Sequence, residues 1–184
     1  MSAVQLKRWS RADYDRLVRE GFFAPDERVE LVDGDIVEMT PQDPRHATAI
    51  VVGLEALQSA IGREYHVRVQ LPLALGAASE PEPDLAVIHG PRRAFATNHP
   101  TGAALVVEVA ESSLAYDRER KSAAYSQAEI PEYWIVNLVD QLLEVYRDPR
   151  PGIGYATRLL YGTADEIAIE AIPGARVAVR EIFP

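Results

Sequence analysis

Residues 105–110 read Leu-Val-Val-Glu-Val-Ala, an apolar run with one acid in it. A run of this length, rich in β-branched residues, reads as a strand covered on both faces. Such a strand needs partner strands and flanking helices, which commits the chain to an α/β or α+β architecture with a mixed sheet. It also poses a problem. Burying a lone carboxylate costs on the order of several kcal/mol, so Glu108 needs a cation, a proton or an exposed strand end.

The rest of the chain supplies the other elements. Residues 1–26 read as a lead-in and one helix: Ser10 is a good N-cap, Tyr14, Leu17 and Val18 fall at helical spacing, and Gly21 ends it. Arg28–Val32 and Asp35–Met39 flank Asp33-Gly34, a strong two-residue hairpin signal. Asp43-Pro44 opens a second helix, whose Ala47, Ile50, Val51, Leu54, Leu57 and Ile61 recur on one face. Tyr65–Leu75 alternates, with Tyr65, Val67, Val69, Leu71 and Leu73 on one side. Asp84–Ile88 is a short strand entered through two prolines, and residues 89–103 form a loop. Asp117 reads as the cap of a helix running to about Ala128. Glu132–Leu138 and Leu142–Tyr146 then pair as a hairpin, and two or three weaker strands come after Gly154. There is no internal repeat, low-complexity tract or linker, so residues 1–184 are expected to form a single domain.

Charge narrows the function. The chain carries 28 acids against 19 bases, a net of −9, and only Lys7 and Lys121 are lysines. A surface this acidic argues against coating nucleic acid by bulk charge, while leaving room for contact at a local groove or through a bound metal. With no cysteine, disulfides, thiolate metal sites and a cysteine nucleophile are all excluded. No apolar run approaches the ~20 residues of a membrane span and no signal peptide opens the sequence, so a cytoplasmic location is expected. The four histidines lack zinc-hydrolase spacing, and glycine-rich nucleotide loops and the serine-hydrolase elbow are missing.

The remaining chemistry lies in a few polar residues. Asp84 and Glu108 head or interrupt apolar strands, and two carboxylates on neighbouring strands suit a hard cation held together with waters and substrate phosphate. The bland alternative makes Asp84 a turn cap and Glu108 the partner of an arginine. Lys121 shares a helix face with Ala124, Tyr125 and Ala128, opposite Glu119, Ser122, Ser126 and Glu129. As a compact point charge it suits a developing phosphate charge; the alternative is a lysine that snorkels to water. Glu30, between Val29 and Leu31, reads as a solvent-facing strand residue, and His46 lies in the first turn of its helix, where N–H groups gather anions.

Several runs occur in order: Arg28-Val29-Glu30-Leu31-Val32-Asp33-Gly34, Arg45-His46, Val69-Gln70-Leu71-Pro72-Leu73, and Glu82-Pro83-Asp84-Leu85. Next come Val107-Glu108-Val109, Ser113-Leu114-Ala115-Tyr116-Asp117 with Lys121, and Ile130-Pro131-Glu132-Tyr133-Trp134-Ile135-Val136. Over about residues 10–150 the chain resembles the bacterial Uma-type "putative restriction endonuclease" family, formerly a domain of unknown function, of the PD-(D/E)XK nuclease superfamily. The resemblance implies the restriction-endonuclease-like fold, a mixed β-sheet flanked by helices. It implies that Asp84 is the metal-binding aspartate, Glu108 the acid of the following strand and Glu30 the early glutamate that supplements the site. The superfamily lysine usually lies two residues after that acid; here the position is Ala110, and Lys121 resembles a lysine migrated to the next helix. Gln70 and His46 are implied as supporting residues.

The expectation is a metal-dependent endonuclease that hydrolyses phosphodiester bonds of nucleic acid, DNA in the first instance, with Mg²⁺ or Mn²⁺ as cofactor. The alternative is a catalytically silent module with the same fold that binds or regulates a partner; a carboxylate-pair glycosidase fits poorly, since lysine has no standard role there. Tyr133, Trp134 and Tyr146 on the 132–146 hairpin are either a homodimer surface or core.

Overall fold

The computed structural model describes residues 6–184. Six strands form one sheet in the order β3-β4-β5-β6-β7-β8: Tyr65–Val69, Leu85–His89, Leu105–Ala110, Glu132–Asn137, Leu142–Arg150 and Gly154–Tyr161. All neighbours are antiparallel except β5 and β6. A parallel pair needs a crossover. Here it is one helical run over residues 114–127: α3 (Leu114–Tyr116), a π-helical turn (Asp117–Lys121) and α4 (Ser122–Gln127). The mixed sheet flanked by helices is the fold expected from the sequence.

The two central strands are buried at every position. Alternate side chains enter two cores. Val107, Val109, Trp134 and Val136 pack with α2 (Pro44–Ala60) and the C-terminal segment, whereas Val106, Ala110, Tyr133 and Ile135 pack with Tyr125 of α4. Each Val or Leu so buried stabilises the fold by about 1.5–3 kcal/mol. Two short antiparallel pairs complete it: β1 (Val29–Val32) with β2 (Asp35–Glu38), and β9 (Glu166–Ala168) with β10 (Arg176–Ala178).

The local signals hold at most element starts. Ser10 caps α1 (Arg11–Arg19) by accepting from the Asp13 N–H, and Asp43 caps α2 by accepting from the N–H groups of Arg45 and His46. Asp33 and Gly34 both have positive φ, as a type I′ hairpin turn requires. Other expectations are corrected. On α1, Val18 is exposed. On α2 the buried face is Ala49, Ile50, Gly53, Ala56 and Leu57, while Val51 faces solvent. The Tyr65–Leu75 alternation stops at Gln70, whose φ of 49° turns the chain; Leu71 is exposed and Leu73 joins the core opposite to that of Val67. Of the two readings left open for Tyr133, Trp134 and Tyr146, core is the one observed, since all three are buried.

Glu144 of β7 anchors the helical run to the sheet. It is fully buried and accepts from Arg118 of the π turn, Arg158 of β8, Tyr146 and Asn137. Burial alone would raise its carboxyl; hydrogen bonds from these groups outweigh that and hold it down at about 2. Its stabilising contribution is therefore present above the ordinary carboxylate value and lost as pH falls toward about 2. Glu144→Gln is expected to lower stability at neutral pH, with the deficit shrinking as the wild type is itself protonated. Urea melts of both proteins across the acid range measure this.

Candidate active site

Leu85 pairs with Val107 at the end of the β4–β5 ladder, so Asp84 and Glu108 stand across from each other one step beyond it. Both belong to the face that packs against α4. The Asp84 N–H donates to Glu108 Oε2 at 3.3 Å, and the Val109 N–H donates to Asp84 Oδ2 at 2.9 Å. The two carboxylates are thus fixed by backbone N–H groups of each other's strands. The proline-bounded approach Pro81-Glu82-Pro83 brings Asp84 in at this angle, since each proline fixes its own φ.

Lys121 comes from the opposite wall. Its Nζ lies 2.9 Å from Glu108 Oε1 and 3.1 Å from Glu30 Oε1. Tyr125, one turn further along, donates its hydroxyl to Glu108 Oε1 at 2.6 Å. Glu30 is buried, correcting its expected solvent-facing position. The cause is the bridge between Leu31 and Glu80, which docks β1 beside the 80–84 approach and lets Glu30 Oε2 accept from the Glu82 N–H at 3.0 Å. Gln70 and His46 both reach Asp84. Gln70 Nε2 donates to Oδ1 at 3.2 Å, and His46 Nε2 is 3.2 Å from Oδ2. The left-handed backbone at Gln70, uncommon for a residue with a Cβ, is what aims its amide there.

The structure therefore gathers Glu30, His46, Gln70, Asp84, Glu108 and Lys121 around one place. All but Gln70 line a cavity of about 260 Å³. Sequence reading missed three neighbours. Asp117 is not a helix cap: the run begins at Leu114, and Asp117 is buried within it, accepting from Ser113 Oγ at 2.6 Å and lining the cavity. Tyr116 lines the cavity too, and Tyr125 grips Glu108 from behind. The Tyr-Asp pair in the motif, and the position of Tyr125 four residues after Lys121, are the signals that mark them. Ser122 and Ser126, expected on the polar face, are buried as well, Ser126 against β7 through hydrogen bonds of its hydroxyl with the Arg150 backbone.

The electrostatics are lopsided. Six carboxyls line the cavity, Glu30, Glu38, Glu82, Asp84, Glu108 and Asp117, against Arg28, Lys121 and His46. Burial pushes Glu108 up to about 8, against the pull of Lys121 and helped by Asp84, Asp117 and Glu30. Burial likewise raises Asp117 to about 6. Burial works against the charge on Lys121, but Glu108, Glu30 and Asp117 outweigh it and keep the ammonium form. Hard oxygen donors from three elements, short of positive charge, suit a hard divalent cation. Among the described residues no three such side chains form a ready cage, so a cation here would lean on one or two carboxylates plus waters, as Mg²⁺ typically does.

This arrangement sits on a known scaffold. The chain superposes on the crystal structure of a "putative nuclease belonging to DUF820" from Anabaena variabilis, with a TM-score of 0.70 at 13% identity, covering 91% of this chain and 96% of that one. The class defined by the fold is thus one already seen in a protein described as a nuclease. Residues 11–180 match the Uma2 family, described as "Putative restriction endonuclease", and the chain belongs to that family. No curated protein matches the chain. No helix among the described residues is long and apolar enough to cross a membrane.

Removing Lys121 leaves Glu30 and Glu108 buried without their cation. Lys121→Met is expected to cost about 3 kcal/mol. The double variant Glu108→Gln with Lys121→Met should lose less than the sum of the two single changes, because the groups are in direct contact. Urea melts of the four proteins close this cycle.

Proposed function

We propose that the protein is a metal-dependent endonuclease that hydrolyses phosphodiester bonds of nucleic acid, with DNA the first substrate to test. One observation carries the reading: a buried lysine from the crossover helix meets the acid of β5 at 2.9 Å, directly beside the aspartate that heads β4. Ala110, where the superfamily usually has its lysine, is buried and apolar, and Lys121 brings the charge in from the helix instead.

Asp84 and Glu108, with Glu30 beside them, would hold Mg²⁺ or Mn²⁺. When bound, such a cation offsets charge on the phosphate and acidifies a water. Lys121 keeps its proton and is fixed by two carboxylates, so it presents a preorganised positive charge to the phosphate as negative charge builds there. Gln70 and His46 hold Asp84 at its angle. The acid-rich cavity repels a phosphate until the cation arrives, which reconciles the net charge of −9 with a nucleic-acid substrate and confines contact to the site.

Purified protein is expected to nick supercoiled plasmid in Mg²⁺ or Mn²⁺ and to stop when a chelator is added. Asp84→Asn, Glu108→Gln and Lys121→Met should each lower the rate on the order of 10²-fold or more while remaining folded by circular dichroism. Plasmid, single-stranded DNA and RNA are assayed side by side. Absence of cleavage on all three, or equal cleavage by the Asp84 and Lys121 variants, overturns the proposal in favour of a silent module.

A further inference from the structure

The buried carboxylates of the site are all engaged by the protein itself. Glu108 is held by Lys121, Tyr125 and a backbone N–H; Asp84 by Gln70 and a backbone N–H; Glu30 by Lys121 and a backbone N–H. Asp117 is held by Ser113. Tyr116 is different. It lines the cavity, its hydroxyl oxygen is buried, and among the described residues nothing hydrogen-bonds to it. Buried polar atoms are nearly always paired, so an orphan at a cavity wall calls for a partner that arrives from outside.

The chemistry of that partner is set by the surroundings. Burial, with Glu30 nearby, holds the Tyr116 phenol in its neutral form, with its pKa raised to about 12. It therefore serves as an O–H donor and makes a poor cation ligand. On the same cavity, His46 Nε2 lies 3.2 Å from Asp84 Oδ2 and is committed to that carboxylate. One neutral O–H donor left open on a cavity that also carries Lys121 suits an anionic oxygen. The space, about 260 Å³ and partly open to solvent, has room for a phosphate group and a few waters. Tyr116 immediately precedes the π turn that carries Asp117 and Lys121, and all three line the cavity.

We propose that the Tyr116 hydroxyl is a catalytic residue that donates a hydrogen bond to a non-bridging oxygen of the substrate phosphodiester. The proposal rests on the nuclease reading for its substrate, and its test is arranged so that the two can fail separately. Tyr116→Phe keeps the ring and removes only the donor. Titration with inorganic phosphate in the presence of Mn²⁺, followed by calorimetry, is expected to show about tenfold weaker binding to Tyr116→Phe than to wild type, with Tm and Mn²⁺ binding unchanged. Plasmid cleavage should lose about tenfold in kcat/KM. Equal phosphate affinity in the two proteins, or no phosphate binding by the wild type, overturns the assignment of Tyr116. If wild type cleaves and Tyr116→Phe cleaves equally well, the tyrosine falls and the nuclease stands. If phosphate binding drops in Tyr116→Phe but neither protein cleaves, the phosphate contact stands and the nuclease reading falls.

Discussion

A single buried ammonium links the parts of this molecule that matter most. Lys121 joins the crossover helix to β5 through Glu108 and to the β1–β2 hairpin through Glu30. An ammonium and the two carboxyl groups it touches are thus taken out of water together. Such a triad is a poor source of net stability, because desolvation consumes much of the attraction. Its value is geometric. It fixes the distance between three elements that share no continuous hydrogen-bonded ladder, and it places their polar ends in one cavity. The Tyr125 hydroxyl on the same Glu108 oxygen extends the constraint by one turn of helix.

The helix itself is shaped to make this possible. A regular α-helix over residues 114–127 would space its side chains evenly. At the π turn Asp117–Lys121, Asp117 and Lys121 are both buried, while Arg118 of the same turn is tied to Glu144 in the sheet. Widened turns of this kind cost hydrogen-bond quality and concentrate at functional sites. Here the turn is held from both ends, by Lys121 on β5 and by Arg118 on β7.

Much of this is legible in the sequence, for identifiable reasons. Capping residues, the Asp-Gly turn and the apolar runs are local, and Ser10, Asp43 and Asp33-Gly34 act as the sequence predicts. Asp84, Glu108 and Lys121 stand out because each is a charge in an apolar setting. The misreadings all depend on tertiary contact. Asp117 reads locally as a good cap, but the helix already starts at Leu114 and pulls it inside. Glu30 alternates like a surface residue, yet a single bridge from Leu31 to Glu80 buries it. The alternation from Tyr65 gives no warning that Gln70 takes a left-handed backbone. The aromatic hairpin 132–146 reads as surface or core until α2 and α4 cover the two faces of the sheet.

The parallel pairing of β5 with β6 has a consequence for how the site comes into being. Glu30 and Lys121 lie far apart along the chain, and β5 cannot be enclosed on its second side before residues 132–137 are available to pair with it. Contacts of such long sequence separation form late, after loop-closure entropy has been overcome. During synthesis the carboxylates of the N-terminal half emerge first, unassembled and without their lysine. A growing chain therefore lacks the assembled cluster of Glu30, Glu108 and Lys121 until most of the sheet exists. The topology acts as a timer that leaves these charges in water until the sheet can enclose them.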